Sequence, residues 1–506
     1  MTIHPKPRIP NLSLQSALAA FLLASVPCLR ADVLCAGIFG DHMVLQRDRE
    51  VPVWGTGTPG ESVVVDFAGQ SVATRVDPSG SWIVRLSPMA ASDASRDFVV
   101  KGGNELRFSD VLVGEVWLCS GQSNMEKPVG PQYNQKPTSD YVNAIRQASN
   151  PLIRLYNVPH FGKPDPTKTY LSWHPCDPGS IVHTRFSAVG YYFGREIQRA
   201  LGVPVGLIDS TYGGTQIEEW MPPGSFSGYP DLADLAAGPP FPVMATRNAV
   251  SSLYLSMIKP MVPFALRGFL WYQGEGNLLE AQVASYTDKM RAMVAAWRAA
   301  WNGPDLPFYY VEIAPFLYSS VTTHHRHLTP EALPAFWEAQ SRALSIPHTD
   351  MVVTTDLVDN VADIHPADKL EVGRRLAGLA LSDTYGREGA FAHSPAFASM
   401  RVLPAGALEL TFRDTDGMLG SSNGKPLGEF TVAGADGGFA PADVKIMGDK
   451  LVLQSALVSQ PVAARFAWRE DATPNLVNAD GLPAMPFRTD SWPLAVEKPG
   501  PPGPPK

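Results

Sequence analysis

The chain has 506 residues, 45% hydrophobic and 18% charged, with a formal charge of −8; these values describe a globular protein long enough for more than one core. Its acidity excludes nucleic acid as a partner, because phosphate binding needs a basic face and no segment is rich in Lys and Arg.

Residues 1–31 read as a signal peptide: Lys6 and Arg8 start it, an apolar stretch over 12–26 follows, and it ends at Ala31. Its loss removes three cations and no acid, taking the charge from −8 to −11. The apolar stretch is too short for a comfortable span, so no stable membrane insertion is expected after cleavage, and the protein is expected to be exported to the periplasm or secreted. Of four cysteines, Cys28 would leave with the leader. The odd remainder, Cys35, Cys119 and Cys176, predicts no disulfide framework, with a Cys35 to Cys176 bridge left open.

Residues 32–110 alternate apolar and polar positions between turn signals such as Pro59-Gly60 and Pro78-Ser79-Gly80, which predicts an N-terminal β domain. From 111 to 394 the rhythm changes. Short apolar runs at 116–119, 205–208, 268–272, 308–313 and 351–355 predict strands buried on both faces, and helical patterns at 188–201, 286–301, 330–344 and 369–381 separate them. Such alternation predicts a parallel sheet covered by helices, with ligands bound beyond the carboxyl ends of the strands. Strand-like alternation returns over 395–495 as a C-terminal β domain, and 496–506 is a Pro-Gly tail expected to be disordered.

The polar residues at those strand ends carry the chemistry. The run Trp117-Leu118-Cys119-Ser120-Gly121-Gln122-Ser123-Asn124-Met125 presents Ser123 just beyond an apolar strand; a hydroxyl there needs a base and oxyanion donors to act as a nucleophile. A helix cap or turn is the bland alternative for this serine. The loops Asp209-Ser210-Thr211-Tyr212-Gly213-Gly214-Thr215 and Trp271-Tyr272-Gln273-Gly274-Glu275-Gly276-Asn277 offer backbone N–H groups and the Asn277 amide as donors, while Glu275 could orient its loop or contact substrate. Asp363 and His365 are two apart in one loop, so a carboxylate and an imidazole can arrive together as orienter and base. The run His324-His325-Arg326-His327 lacks an acid at ligand spacing, so no metal is expected.

Together these segments resemble the sialate O-acetylesterase family, a branch of the SGNH (GDSL-like) hydrolases. The resemblance runs from about Phe39 to Trp492, and its most specific piece is Gly114-Glu115-Val116-Trp117-Leu118-Cys119-Ser120-Gly121-Gln122-Ser123-Asn124-Met125. It implies a flavodoxin-like SGNH three-layer sandwich with a parallel sheet, flanked by β-sandwich-like domains. It also implies a cofactor-free serine esterase with Ser123 as nucleophile, His365 as base and acid, and Asp363 as its partner. The Ser123 N–H, Gly213 N–H and Asn277 side chain would form the oxyanion hole, with Gln122, Gln273 and Glu275 in support. Two departures stand out: Gly276 replaces the usual Ser or Ala, which implies a more mobile loop, and Asp-x-His replaces Asp-x-x-His, which leaves Asp359 or Glu275 as alternative orienting acids. The expected partner is an O-acetylated carbohydrate, sialic acid by resemblance. An acetylated plant polysaccharide such as xylan is the alternative, and a non-catalytic carbohydrate-binding protein is a third reading.

Overall fold

The computed structural model describes residues 1–2, 32–132, 135–160, 172–233, 249–322, 326–389, 391–404 and 406–498. The expected leader, apart from Met1 and Thr2, therefore lies outside the described residues, as do His324, His325 and the tail from 499 onward.

The architecture is mixed α/β with a mixed central sheet and additional β-rich regions. Seven strands of the central sheet matter here: β1 (Glu105–Gly121), β2 (Asn150–Asn157), β3 (Trp173–Cys176), β4 (Val205–Thr211), β5 (Gly268–Tyr272), β6 (Phe308–Val311) and β7 (Thr349–Val352). They lie in the order β3-β2-β4-β1-β5-β6-β7. All neighbours pair in parallel except β3, which pairs antiparallel with β2 and corrects the expectation of a purely parallel sheet. β2 and β3 were not anticipated; with Asn150, Pro151 and Arg154 in one and Pro175 in the other, neither reads as a continuous apolar run.

Alternate residues of the strands enter two cores. Trp117, Cys119, Leu207, Leu270 and Tyr309 pack beneath α2 (Ala188–Leu201) and α6 (Lys369–Leu379). Val116, Leu118, Ile208, Phe269 and Trp271 pack on the other side with residues of α4 (Tyr286–Ala300) and α5 (Ala332–Arg342). The ends of α2 follow from its sequence: the Ser187 hydroxyl accepts the Gly190 N–H at 3.0 Å, and Gly202 stops the helix with φ 66°.

β1 is one unbroken strand of 17 residues. Its first half pairs with Ser92–Lys101 of the N-terminal β region and its second half forms the middle of the central sheet, so position 110 falls inside a strand rather than in a linker. Beyond α6, two four-stranded sheets enclose a separate core that includes Leu408, Leu410, Phe430, Val432, Leu451 and Phe466. Arg465 and Arg488 tie that region to Glu331 and Glu338 beside and within α5. Cys35, Cys119 and Cys176 are all free thiols. Among the described residues no helix is long and apolar enough to cross a membrane.

Candidate active site

The site forms where β1, β4 and β5 end. β1 finishes at Gly121, which has φ 137° and whose missing side chain is essential, since a Cβ there would sit 2.2 Å from the Tyr272 carbonyl oxygen. That close approach turns the chain sharply into the short helix α1 (Ser123–Glu126) and leaves Ser123 as its first residue. The N–H groups of Ser123 and Gly213 have no partner among the described residues. Gly213 packs directly on the serine: a Cβ at that position would lie 3.3 Å from Ser123 Cβ.

The loop after β7 delivers His365, whose Nε2 lies 2.9 Å from Ser123 Oγ across 242 positions of sequence. Burial, together with the Lys369 and Lys127 ammonium groups, pulls the His365 pKa down from 6.5 to about 4, against a smaller upward pull from Asp363. The imidazole is thus neutral near neutral pH and able to accept the serine proton.

Asp363 does not take the place expected for it. Its Oδ1 accepts the backbone N–H of His365 at 2.9 Å, and no hydrogen bond or ion pair joins it to the imidazole ring. With only one residue between them, the carboxylate closes a tight turn on the main chain instead of reaching the ring. The alternatives do not fill the role either: Asp359 is exposed and paired with Lys136, and Glu275 accepts from Asn124 Nδ2 at 2.5 Å.

Asn277 is likewise not an available oxyanion donor. Fully buried on α3 (Glu275–Leu279), it spends its amide hydrogens on Glu218 Oε2 at 2.8 Å and Gln282 Oε1 at 2.7 Å. Its carbonyl accepts from the Ile217 N–H at 2.9 Å and Gln273 Nε2 at 2.7 Å. Gln273 also donates to the Thr215 carbonyl at 3.0 Å, and Gln122 Oε1 accepts the N–H groups of Gly274 and Gly276 at 3.4 and 3.2 Å. These residues brace the loops around the serine. Gly276 is part of that bracing rather than a loose point, because the Thr215 carbonyl oxygen lies 2.5 Å from where its Cβ would be.

Two participants were not singled out by sequence. Asn124, next to the serine, donates from Nδ2 to the Ile364 carbonyl at 3.0 Å, and Lys369, fully buried, donates to Asn124 Oδ1 at 2.6 Å. A usable signal existed for Lys369: it opens a helix, the end where a cation meets the unfavourable pole of the dipole. Burial lowers its pKa from 10.5 to about 7, and burial raises that of Glu275.

Among the described residues, Asp350, Asp383 and His393 are the group whose ligand atoms could converge on a cation, at the opposite end of the sheet near the start of β7. The His393 Nε2 lies 3.1 Å from Asp350 and 3.2 Å from Asp383, and the two carboxylates raise its pKa to about 10. A proton already satisfies this trio as an imidazolium between two acids. Of the histidine run at 324–327, Arg326 pairs with Glu497 and the His327 carbonyl accepts the Lys498 N–H.

A family profile described as carbohydrate esterase, sialic acid-specific acetylesterase matches residues 113–382, more than half the chain. The chain belongs to this family. The mouse sialate O-acetylesterase is 28% identical to it over 495 residues, covering 86% of this chain and 89% of the mouse protein. The human sialate O-acetylesterase is 28% identical over 418 residues, covering 74% and 76% respectively. A crystal structure of a carbohydrate acetylesterase from Xanthomonas citri superposes with a TM-score of 0.79 at 35% identity, covering 91% of this chain and all of that one. The family match spans every residue discussed around Ser123 and His365, from the second half of β1 to α6 and just beyond.

Proposed function

We propose that this family member is a serine esterase that releases acetate from O-acetylated carbohydrates through an acetyl-enzyme. The observation that carries this reading is the 2.9 Å contact between His365 Nε2 and Ser123 Oγ. His365 takes the serine proton as Oγ attacks the acetyl carbonyl. The oxyanion that forms is received by the N–H groups of Ser123 and Gly213, two residues in contact whose N–H groups have no partner among the described residues. The imidazolium then protonates the departing sugar hydroxyl. Water, deprotonated by the same imidazole, cleaves the acetyl-serine ester and restores the enzyme.

The fold reading belongs to the same proposal. The order β4-β1-β5-β6-β7 numbers 2-1-3-4-5 when these five are counted along the chain, and helices cover both faces; both features support a flavodoxin-like SGNH sandwich. Residues 32–110, 111–394 and 395–495 serve as its three units, the first two sharing the continuous strand β1, with 1–31 as an export signal.

The family description makes O-acetylated sialic acid one substrate to test, and acetylated xylan the other. Acetate release from both, and from an aryl acetate, by the parent and by Ser123→Ala tests the reading. The parent should release acetate and the variant should lose at least about 10³-fold in kcat. Equal rates in the two proteins would end the serine mechanism, and sugar binding without acetate release would support a non-catalytic role.

A further inference from the structure

In a serine hydrolase with a complete triad, a carboxylate bonded to the imidazole ring sets its orientation. Here the ring has none, so its position is inherited from the main chain of residues 363–365. Three hydrogen bonds hold that main chain: Asp363 N–H to the Asn360 carbonyl and His365 N–H to Asp363 Oδ1 within the loop, and Asn124 Nδ2 to the Ile364 carbonyl from outside it. Of these three, the Asn124 bond alone ties the main chain of the turn to the helix carrying the nucleophile, since Asn124 directly follows Ser123.

We propose that the buried chain Lys369–Asn124–Glu275 positions His365 on Ser123, with Lys369 as the positioning residue that fixes the Asn124 amide. This inference rests on the Ser123–His365 reading above. Lys369 Nζ donates to Asn124 Oδ1 at 2.6 Å, Asn124 Nδ2 donates to Glu275 Oε1 at 2.5 Å, and the same nitrogen reaches the Ile364 carbonyl. The amide thus has one orientation available: a flipped Asn124 would aim its oxygen at two acceptors and its NH₂ at an ammonium. Asn124, Lys369 and Glu275 are each at most 1% exposed, so water does not compete for these bonds.

A lysine is an expensive choice for a purely structural strut. It stands in the first turn of α6, against the helix dipole, and Glu275 bonds Asn124 rather than the ammonium itself. The groups facing it are Lys127 after α1, Glu275 on α3, the Tyr272 ring at 5.1 Å on β5, Asp363 in the histidine turn, and Asp368 beside it. His365 in turn faces Ser123, Asp363, Lys127 and Lys369. The lysine charge opposes a proton on His365. This weakens the imidazole as a base but keeps it unprotonated in mild acid, and it makes the imidazolium a stronger acid toward the departing sugar oxygen.

The test uses the full chain with Lys369→Met and Lys369→Gln, read by pH profiles of kcat/KM and kcat on an aryl acetate. Lys369→Met removes both the hydrogen bond and the charge. It should lower kcat about 10- to 100-fold with KM within about threefold of the parent, as a misplaced base does. Its acid limb should rise from near 4 by about one pH unit, because burial, the largest cause of the low value, remains. Lys369→Gln keeps a donor for Asn124 Oδ1 and should recover part of kcat while its acid limb stays raised, and it supplies the test if the Met variant fails to fold. An acid limb that stays near the parent's in both variants, or a kcat that differs from the parent in neither, overturns the proposal. Ser123→Ala and His365→Gln measured alongside separate the two levels: full activity in those variants rejects the Ser123–His365 reading itself, whatever Lys369 does.

Discussion

Asn277→Ala separates two roles that the same residue could play. An oxyanion donor, once removed, costs about 10²–10³ in kcat and leaves the fold intact. The structure instead gives Asn277 four hydrogen bonds in a fully buried setting. Truncation leaves the Ile217 N–H, one Gln273 N–H and Glu218 Oε2 without partners, although Glu218 keeps its ion pair with Lys289 and Gln273 keeps the Thr215 carbonyl. At about 1–3 kcal/mol for each buried group left unpaired, with some relief from water entering the vacated space, the loss comes to about 3–6 kcal/mol. The assay is a urea or thermal unfolding curve alongside aryl acetate kinetics normalised to folded protein. The expected result is a clearly lowered unfolding midpoint with kcat of the folded enzyme within about tenfold of the parent. An unchanged midpoint with kcat down 10²–10³-fold would refute the reasoning and return Asn277 to the oxyanion hole.

Asp363→Asn keeps an oxygen for the His365 N–H and removes only a charge, so kcat should fall by about tenfold or less; a loss of about 10⁴, the scale seen when a ring-bound triad carboxylate is replaced, would show that the carboxylate reaches the imidazole during turnover. Gly121→Ala places a methyl 2.2 Å from the Tyr272 carbonyl oxygen at a positive φ, and should abolish soluble expression or lower the melting temperature sharply; a normally melting variant would contradict the turn geometry. The His393 pKa is raised above its unfolded value of 6.5 to about 10, so its stabilising contribution is fully present below about pH 6.5 and lost as pH rises through about 10. His393→Gln should therefore melt below the parent at pH 6 and converge with it above pH 10, whereas a constant gap across that range would exclude the ionised pairings as its source.

How much of this was legible in advance depended on whether a residue's partners lie near it in sequence. The bounds of α2 and β5 follow from local apolar periodicity and a glycine stop, and the structure places those elements at 188–201 and 268–272 as the pattern implies. β2 and β3 were not legible, since their pairing partners, and not their own composition, make them strands.

The sequence by itself determined the chemistry on offer: a serine past the end of a buried strand, an imidazole past the end of another, and glycines where backbone must approach backbone. It could do so because strand ends and tight turns are set by local sterics and hydrophobic pattern. Only the tertiary structure decided what each polar side chain does with its hydrogen bonds. Asn277 could donate to substrate or to Glu218, Asp363 could accept from the ring or from the main chain, and Lys369 could face water or Asn124; each choice depends on partners up to 245 positions away and on the absence of competing water. In a buried site most polar groups are satisfied by whatever neighbours the packing supplies, and that accounting is done only in three dimensions.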